Sequence, residues 1–442
     1  MEPKQLKKSI SSIGAIAIVV GSVIGSGIFL KPGIVFTNAG SPNMGLMAWI
    51  FGGIITLASA LTISEIGSAI PKTGGLYVYL EDLYGDVWGF LLGWVQSVIS
   101  FPAGIAALAI AFATFSTFFI PMTPIQQKLL GIGVIVFLAI MNILSTKLGG
   151  FIQTASTIAK LIPIAVIIAF GLISGKVHDF SWVQINLAGA GFGAAVLGTL
   201  WAYDAWINVT NMAGELKDPA RQVPRALTIG MFVIIAVYVL VNIAMLNAAP
   251  IGDIIASDKP ASDIAVILLG SGGAIFITVG IMISVFGTAN AHIMTGARVP
   301  FAMAERKQLP YHRTLSSIHP KFNTPTNALI VQCIIAIVYI MSGTFNTLTD
   351  LLVFVLWIFF VMGVAGIFIL RKDPIKYKTS YRVPWYPVVP IIGILGGIYI
   401  IVSTVITQTT NSIIGIAITL AGIPVFYYLK KKEVKKSLLS QR

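Results

Sequence analysis

The sequence predicts an all-α polytopic membrane protein, and two observations carry that expectation. Apolar runs of about twenty residues, the length a helix needs to cross the hydrocarbon core, recur from one end of the chain to the other. The charges between them are few and one-sided: 10% of the 442 residues are charged against 56% hydrophobic, with mean hydropathy +0.90 and net charge +13. Such a composition excludes a soluble globular domain and a disordered chain.

Twelve transmembrane helices are expected, near residues 10–37, 41–69, 83–118, 125–144, 151–174, 190–214, 224–248, 264–302, 325–343, 348–371, 387–406 and 411–430. With both termini on one side, only Lys31, Lys128, Lys176 and Lys259 of the 29 Lys and Arg fall opposite, and Lys160 lies within a span. The positive-inside rule then puts the N- and C-termini in the cytoplasm. The positive charge is therefore a topology signal, and no nucleic-acid partner is expected. Lys4, Lys7 and Lys8 lead into a first span with many more behind it, so that span is expected to stay in the bilayer rather than be cleaved as a signal peptide.

The loops are short, so 1–442 reads as a single transmembrane domain. The longest, from Arg298 to Asn323, carries Glu305, Arg306, Lys307, Arg313 and Lys321 and fits a solvated loop; the basic tail 431–442 fits a stop-transfer segment against lipid headgroups. One cysteine, Cys333, excludes an intramolecular disulfide and a cysteine-cluster metal site.

The first span holds the stretch around which the chain is organised. Gly21, Gly25 and Gly27 interrupt an apolar run, each costing roughly 1 kcal/mol of helix stability relative to alanine, so the helix is expected to break there. In hydrocarbon an unwound turn is tolerated where it lines a cavity or meets a ligand. Small residues at this spacing also suit close packing of another helix, and the glycines alone leave both readings open. The sixth span is interrupted too: Trp201-Ala202-Tyr203-Asp204-Ala205-Trp206 places an ionisable Asp204 in mid-span. Breaks five helices apart are what an inverted repeat of five helices followed by five would give, 10–174 and 190–371, with 387–430 appended as helices 11 and 12.

Gly25-Ser26-Gly27-Ile28-Phe29, Pro71-Lys72-Thr73-Gly74-Gly75-Leu76-Tyr77, Trp201-Ala202-Tyr203-Asp204-Ala205-Trp206 and Gly214-Glu215-Leu216-Lys217-Asp218-Pro219-Ala220-Arg221 stand in that order along the chain. Together they resemble the amino acid–polyamine–organocation superfamily, and within it the L-type amino acid transporters, bacterial serine/threonine exchangers included. The resemblance runs from about residue 10 to the C-terminal region. It implies a LeuT-type fold of two inverted five-helix repeats with discontinuous helices 1 and 6. It also implies a substrate-binding set of Val23, Ile24, Gly25, Ser26 and Gly27 on helix 1 with Trp201, Ala202, Tyr203 and Asp204 on helix 6. The substrate carboxylate falls to the backbone N–H groups and hydroxyl around Ser26 and Gly27. The α-ammonium falls to carbonyls of Val23, Trp201, Ala202 and Asp204. Helix-terminus electrostatics agree with that division. The family's helix 6 motif commonly has Gly where this chain has Ala205, which restricts the backbone or the side-chain pocket.

The same resemblance places Lys160 on helix 5, where sodium-coupled relatives hold a cation, with Ser284 and Thr288 of helix 8 beside it. An ammonium there substitutes for Na⁺ or, if desolvated, carries a proton. Trp201 is expected as a lid over the substrate and Glu215 as part of an inner gate. Glu65 and Asp350 lie near span ends, where hydration accounts for them. His292 has no second ligand at metal spacing and reads as a satisfied interior histidine.

The leading expectation is thus a sodium-independent exchanger of neutral, small L-amino acids (alanine, serine, threonine class) in the plasma membrane, working by alternating access. A proton-coupled amino acid or amine symporter using Lys160 is the alternative. A channel needs rings of charge or carbonyl along a hydrated path, which this charge-poor interior does not offer. An enzyme is not expected, because no nucleophile triad order, HExxH or carboxylate pair lies in the spans, and no cofactor or metal is expected either. Heteromeric animal relatives use a cysteine in the loop after helix 3 to link a heavy subunit. None stands between Thr117 and Lys128, so no disulfide-linked partner is expected; the partners are substrates and the bilayer.

Overall fold

The computed structural model describes residues 11–71, 75–144, 160–182, 190–211, 216–322 and 324–440, nearly all of them helical. The helices are α1 (Ser12–Val23), α2 (Gly27–Ala39), α3 (Pro42–Ala69), α4 (Leu76–Tyr84), α5 (Asp86–Val95), α6 (Phe101–Ser116), α7 (Pro124–Leu144), α8 (Leu161–Ser174), α9 (Phe192–Ala202) and α10 (Asn208–Asn211). They continue as α11 (Pro219–Ala248), α12 (Ile251–Ala256), α13 (Pro260–Gly296), α14 (Arg298–Glu305), α15 (His312–Leu315), α16 (Thr326–Ser342), α17 (Phe345–Leu370), α18 (Val388–Thr407) and α19 (Thr409–Ser440). Among the described residues eight helices are long and apolar enough to cross a membrane, or nine if α1 and α2, bent by 49° at their junction, count as one span. Three shorter apolar helices, α8, α9 and α16, lie within the expected fifth, sixth and ninth spans. The protein is an all-helical, multi-pass membrane protein.

The expected boundaries shift in two places. The third span begins at Asp86, preceded by the separate helix α4, because Gly85 adopts φ 98 and ends α4 at Tyr84. The eighth is broken at Gly270, whose φ of 67 lies outside the helical region.

The chain divides into two compact units. One comprises Met1–Gly89, Ile162–Ile277 and Trp357–Thr407; the other comprises Phe90–Leu161, Thr278–Leu356 and Gln408–Arg442. In the first, α3 packs along α11, α9 and α18, while α1 lies on α11 and α2 on α9. Lipid tails give helices no hydrophobic reason to associate, so close fit takes over. At Gly230 of α11 an added Cβ would stand 2.7 Å from Cγ1 of Val19, so α1 approaches only because glycine is there. Lys31, expected on the side opposite the termini, is instead fully buried within α2, eight residues and about 12 Å of helix short of its end at Ala39.

Glu65 also departs from expectation. It is 1% exposed, and pairing rather than hydration accounts for it. Arg371, just past α17, donates from Nε to Oε1 at 2.9 Å and from Nη2 to Oε2 at 2.8 Å, and the Val383 N–H reaches Oε2 at 2.7 Å. These hydrogen bonds hold the Arg371 guanidinium above its ordinary pKa, opposed by a smaller desolvation effect. The segment after Arg371 is thereby fixed to the end of α3.

The second unit is built on α6, α7 and α16 in mutual contact. A π-helical turn, Gln96–Ser100, precedes Pro102, which has no N–H to offer the carbonyl of Val98 one turn back. The Tyr339 hydroxyl donates to that carbonyl at 3.2 Å instead. Asn142 on α7 bonds Asn290 on α13 at 2.8 Å, a tie between two buried amides. Asp350, likewise expected to be hydrated, is 9% exposed and accepts from Gln408 at 2.9 Å.

Replacing Arg371 by Met strands a buried carboxylate, and the expected cost is roughly 3 kcal/mol. The thermal midpoint of the detergent-solubilised protein should fall markedly, and Glu65→Gln with Arg371→Met should recover part of the loss. A variant Arg371→Met as stable as the parent would contradict the pairing.

Candidate functional site

The two helix breaks expected from the sequence occur in the first unit, and they meet. α1 ends at Val23, and Ile24 turns to an extended conformation (φ −69, ψ 103) with its N–H on the Val20 carbonyl. α2 starts at Gly27 after Ser26, whose side chain makes no capping bond to the helix that follows. The Ser26 carbonyl accepts the N–H groups of Phe29 and Leu30, both at 3.1 Å, so the donors left open at this end are those of Gly27 and Ile28, and thirteen aligned peptides add positive dipole to them. Opposite, α9 ends at Ala202, a run of turns follows through residue 207, and helix resumes at Asn208.

Gly27 is where the breaks touch. A Cβ on Gly27 would lie 2.5 Å from Cα and 2.6 Å from Cβ of Ala202, so any side chain here forces the two backbones apart. The Trp201 indole N–H donates to the Ser26 hydroxyl at 3.3 Å, joining the same two segments by a second route. Trp201 is 6% exposed and Ser26 2%. The Ser26 hydroxyl oxygen thus serves the other break instead of its own helix.

Tyr238, in the middle of α11, completes the junction. Its hydroxyl lies 3.0 Å from the carbonyl oxygen of Val23 and 2.8 Å from that of Ala202. A phenol carries one proton, so two carbonyls share a single donor and keep acceptor capacity for a further one. Sequence reading did not single out Tyr238. The available signal was a phenol in mid-span, whose O–H must find an acceptor away from water. Tyr203, expected in the substrate set, turns its ring toward Trp49 and Tyr238, with centroids 6.2 and 5.1 Å away, and gives its hydroxyl to the Trp49 carbonyl at 3.0 Å. Its side chain thus braces α3 against the break.

Asp204 directs its backbone N–H to the Trp201 carbonyl at 3.2 Å, and its residue is less buried than its neighbours on either side. Ala205 adopts φ 69, the left-handed region that disfavours a Cβ. Alanine thus holds under strain a turn that glycine would adopt freely.

Lys160, Ser284 and Thr288 belong to the second unit. Lys160 is 1% exposed and immediately precedes α8. The Thr288 hydroxyl bonds the Ser284 carbonyl at 2.9 Å, one turn back on the same helix, while the Ser284 hydroxyl, fully buried, has no hydrogen-bond partner among the described residues. His292 bonds the Thr288 carbonyl through Nδ1 at 3.1 Å and packs edge-on against Phe101, an interior histidine with its polar atom engaged. Glu215, the expected gate residue, lies outside the described residues, as do Lys72, Thr73 and Gly74. No cluster of metal-ligating side chains occurs among the described residues.

Chemically, the first unit sets hydrogen-bond donors and positive dipole at the start of α2 a few residues from two under-satisfied carbonyls. That arrangement suits a small molecule carrying an anion and an ammonium on one carbon. Comparison with known proteins points the same way. Residues 10–427 match the family model described as amino acid permease. The chain is 44% identical to the serine/threonine exchanger SteT of Bacillus subtilis (strain 168), over 98% of this chain and 99% of that protein. It is 31% identical to the mouse large neutral amino acids transporter small subunit 2, over 96% of this chain and 81% of the relative. For the mouse b(0,+)-type amino acid transporter 1 the figures are 29%, 97% and 89%.

Two substitutions check this geometry in opposite directions. Ala205→Gly should stabilise the protein by roughly 0.5–1 kcal/mol, the left-handed penalty less glycine's greater entropy loss. Gly27→Ala should leave a folded protein that binds no amino acid, because its methyl separates α2 from Ala202. Melting curves and ligand-induced thermal shifts read both; unimpaired binding by Gly27→Ala would refute the junction.

Proposed function

We propose, from the premise that this chain belongs to the amino acid permease family of the amino acid–polyamine–organocation superfamily, that it is a sodium-independent exchanger of small neutral L-amino acids. It is a transporter and not an enzyme. The observation that carries the reading is the meeting of the α2 N-terminus with the Val23 and Ala202 carbonyls at Gly27. The substrate carboxylate takes the open N–H groups of Gly27 and Ile28. The α-ammonium takes the carbonyls that the single Tyr238 proton cannot satisfy, with those of Trp201 and Asp204 nearby. Both backbone sets recognise the invariant part of any amino acid, so size selection falls to the side chains around them. Trp201, tied to Ser26, is placed to cover the substrate.

Twelve spans in two inverted five-helix repeats plus helices 11 and 12 is the architecture that goes with this reading. It is supported by two broken helices five spans apart. Plasma-membrane location with cytoplasmic termini is supported by the lysine and arginine asymmetry, to which the burial of Lys31 now adds, since it removes one charge from the opposite side. The exchanger reading is supported by the likeness to the Bacillus serine/threonine exchanger, which the chain matches over nearly its full length. No heavy subunit is required, because the loop after helix 3 lacks the linking cysteine. Lys160, a lysine buried in a membrane protein, supplies a permanent positive charge in place of a coupling cation.

The test is uptake of labelled serine into proteoliposomes. Exchange predicts uptake only when unlabelled serine or alanine is inside, equal rates in sodium and potassium, and weak competition by arginine. It also predicts no uphill accumulation under a proton gradient. Accumulation in empty vesicles driven by protons and lost in Lys160→Ala would install the symporter instead. In the exchanger, Lys160→Ala should lower apparent affinity roughly five- to hundredfold, the effect of stranding a buried polar group or two.

A further inference from the structure

The segment from Arg371 to Pro387 has no regular secondary structure, yet it is pinned along its length. Beyond the Arg371 and Val383 bonds to Glu65, the Ser380 N–H donates to the Ser68 hydroxyl at 3.2 Å, and the Ser380 hydroxyl donates to the Ala220 carbonyl at 3.4 Å. The Tyr377 hydroxyl reaches the Asp82 carbonyl at 3.3 Å, and the Arg371 guanidinium stacks 3.8 Å over the Tyr386 ring. All of these lie within the first unit. The inward side chains, Tyr377 and Val383, are buried.

The outward face is of one kind. Lys372, Lys378 and Arg382 are exposed and have no acidic partner among the described residues. The Ser380–Ala220 bond brings beside them the start of α11, with exposed Lys217 and Arg225. The nearby acids are engaged: Asp373 accepts the Lys376 N–H, Asp82 faces the Lys376 ammonium, and Asp218 pairs with Arg221 at 3.7 Å. Among the cations stand two large apolar side chains with nothing packed over them, Ile375 at 85% and Trp385 at 81% exposure. The segment runs directly into α17 on one side and α18 on the other, both apolar enough to span a membrane, so this face sits at the level where a bilayer's headgroups begin.

Unpaired cations, an exposed tryptophan and an isoleucine at that depth match one partner in both charge and polarity gradient: an anionic phospholipid. Its phosphate meets the cations, and its glycerol and upper acyl region meet Trp385 and Ile375. We propose that the Arg371–Pro387 strap, with the start of α11, is a binding surface for anionic phospholipid headgroups, held in shape by Glu65. A water-soluble acidic partner would leave the two apolar side chains unexplained.

The test uses the full chain, delipidated in detergent and re-exposed to an equimolar mixture of phosphatidylglycerol and phosphatidylcholine, with bound lipid counted by native mass spectrometry. The wild type should retain phosphatidylglycerol selectively. K372Q/K378Q/R382Q should lower the phosphatidylglycerol-to-phosphatidylcholine ratio about tenfold or more, since each cation near an anionic surface contributes measurably. Trp385→Ala should reduce retention of both lipids together, and neutralising the tail lysines at 430–436 should leave the selectivity in place. An unchanged ratio in the triple variant, loss of selectivity in the tail variant alone, or displacement of phosphatidylglycerol by millimolar inorganic phosphate would each overturn the assignment. Monodisperse elution and continued serine exchange by the triple variant show that it is folded.

Discussion

A peptide group inside hydrocarbon has no water to bond, and every interruption of a helix there must find partners within the protein. That requirement shapes the first unit. Breaking α1–α2 and α9 frees donors on one side and acceptors on the other, and the protein answers only in part. Tyr238 gives one proton to two carbonyls, and the Ser26 hydroxyl accepts from Trp201 while leaving its own helix without a side-chain cap. What remains unsatisfied is complementary to an amino acid backbone. In the proposed function recognition comes from these incomplete hydrogen bonds, and the amino acid completes them.

The supports around the junction are of a different nature. Trp49, Tyr203 and Tyr238 form an aromatic cluster in which each phenol is tied to a backbone carbonyl, and α3 and α11 run behind it. At its far end α3 is fixed by a buried ion pair whose carboxylate has three donors. Such pairs add little net stability, but once one partner is in place the other is costly to remove. α3 is therefore held at both ends, by the aromatic cluster at the helix breaks and by the bonds of Glu65.

The class of fold and both breaks were legible in the sequence, because glycine and a mid-span aspartate contradict an apolar helix wherever they occur. Ser26, Gly27, Trp201 and Ala202 were legible as one site only with the family motifs in hand, since no local pattern pairs helix 1 with helix 6. Tyr238 was not legible: a tyrosine in a long apolar helix looks like packing until its two acceptors are seen. Glu65, Asp350 and Lys31 were misplaced for one reason. Distance from a span end along the sequence does not reveal which side of a helix faces protein, and all three face protein.

Ala205 has a consequence for how the transporter divides its free energy between holding and releasing. At φ 69 the methyl group works against the turn it occupies, so any rearrangement that carries residue 205 back to negative φ relieves strain that a glycine would not have stored. Alanine therefore tilts the segment after α9 toward leaving this turn, where a glycine would let it rest.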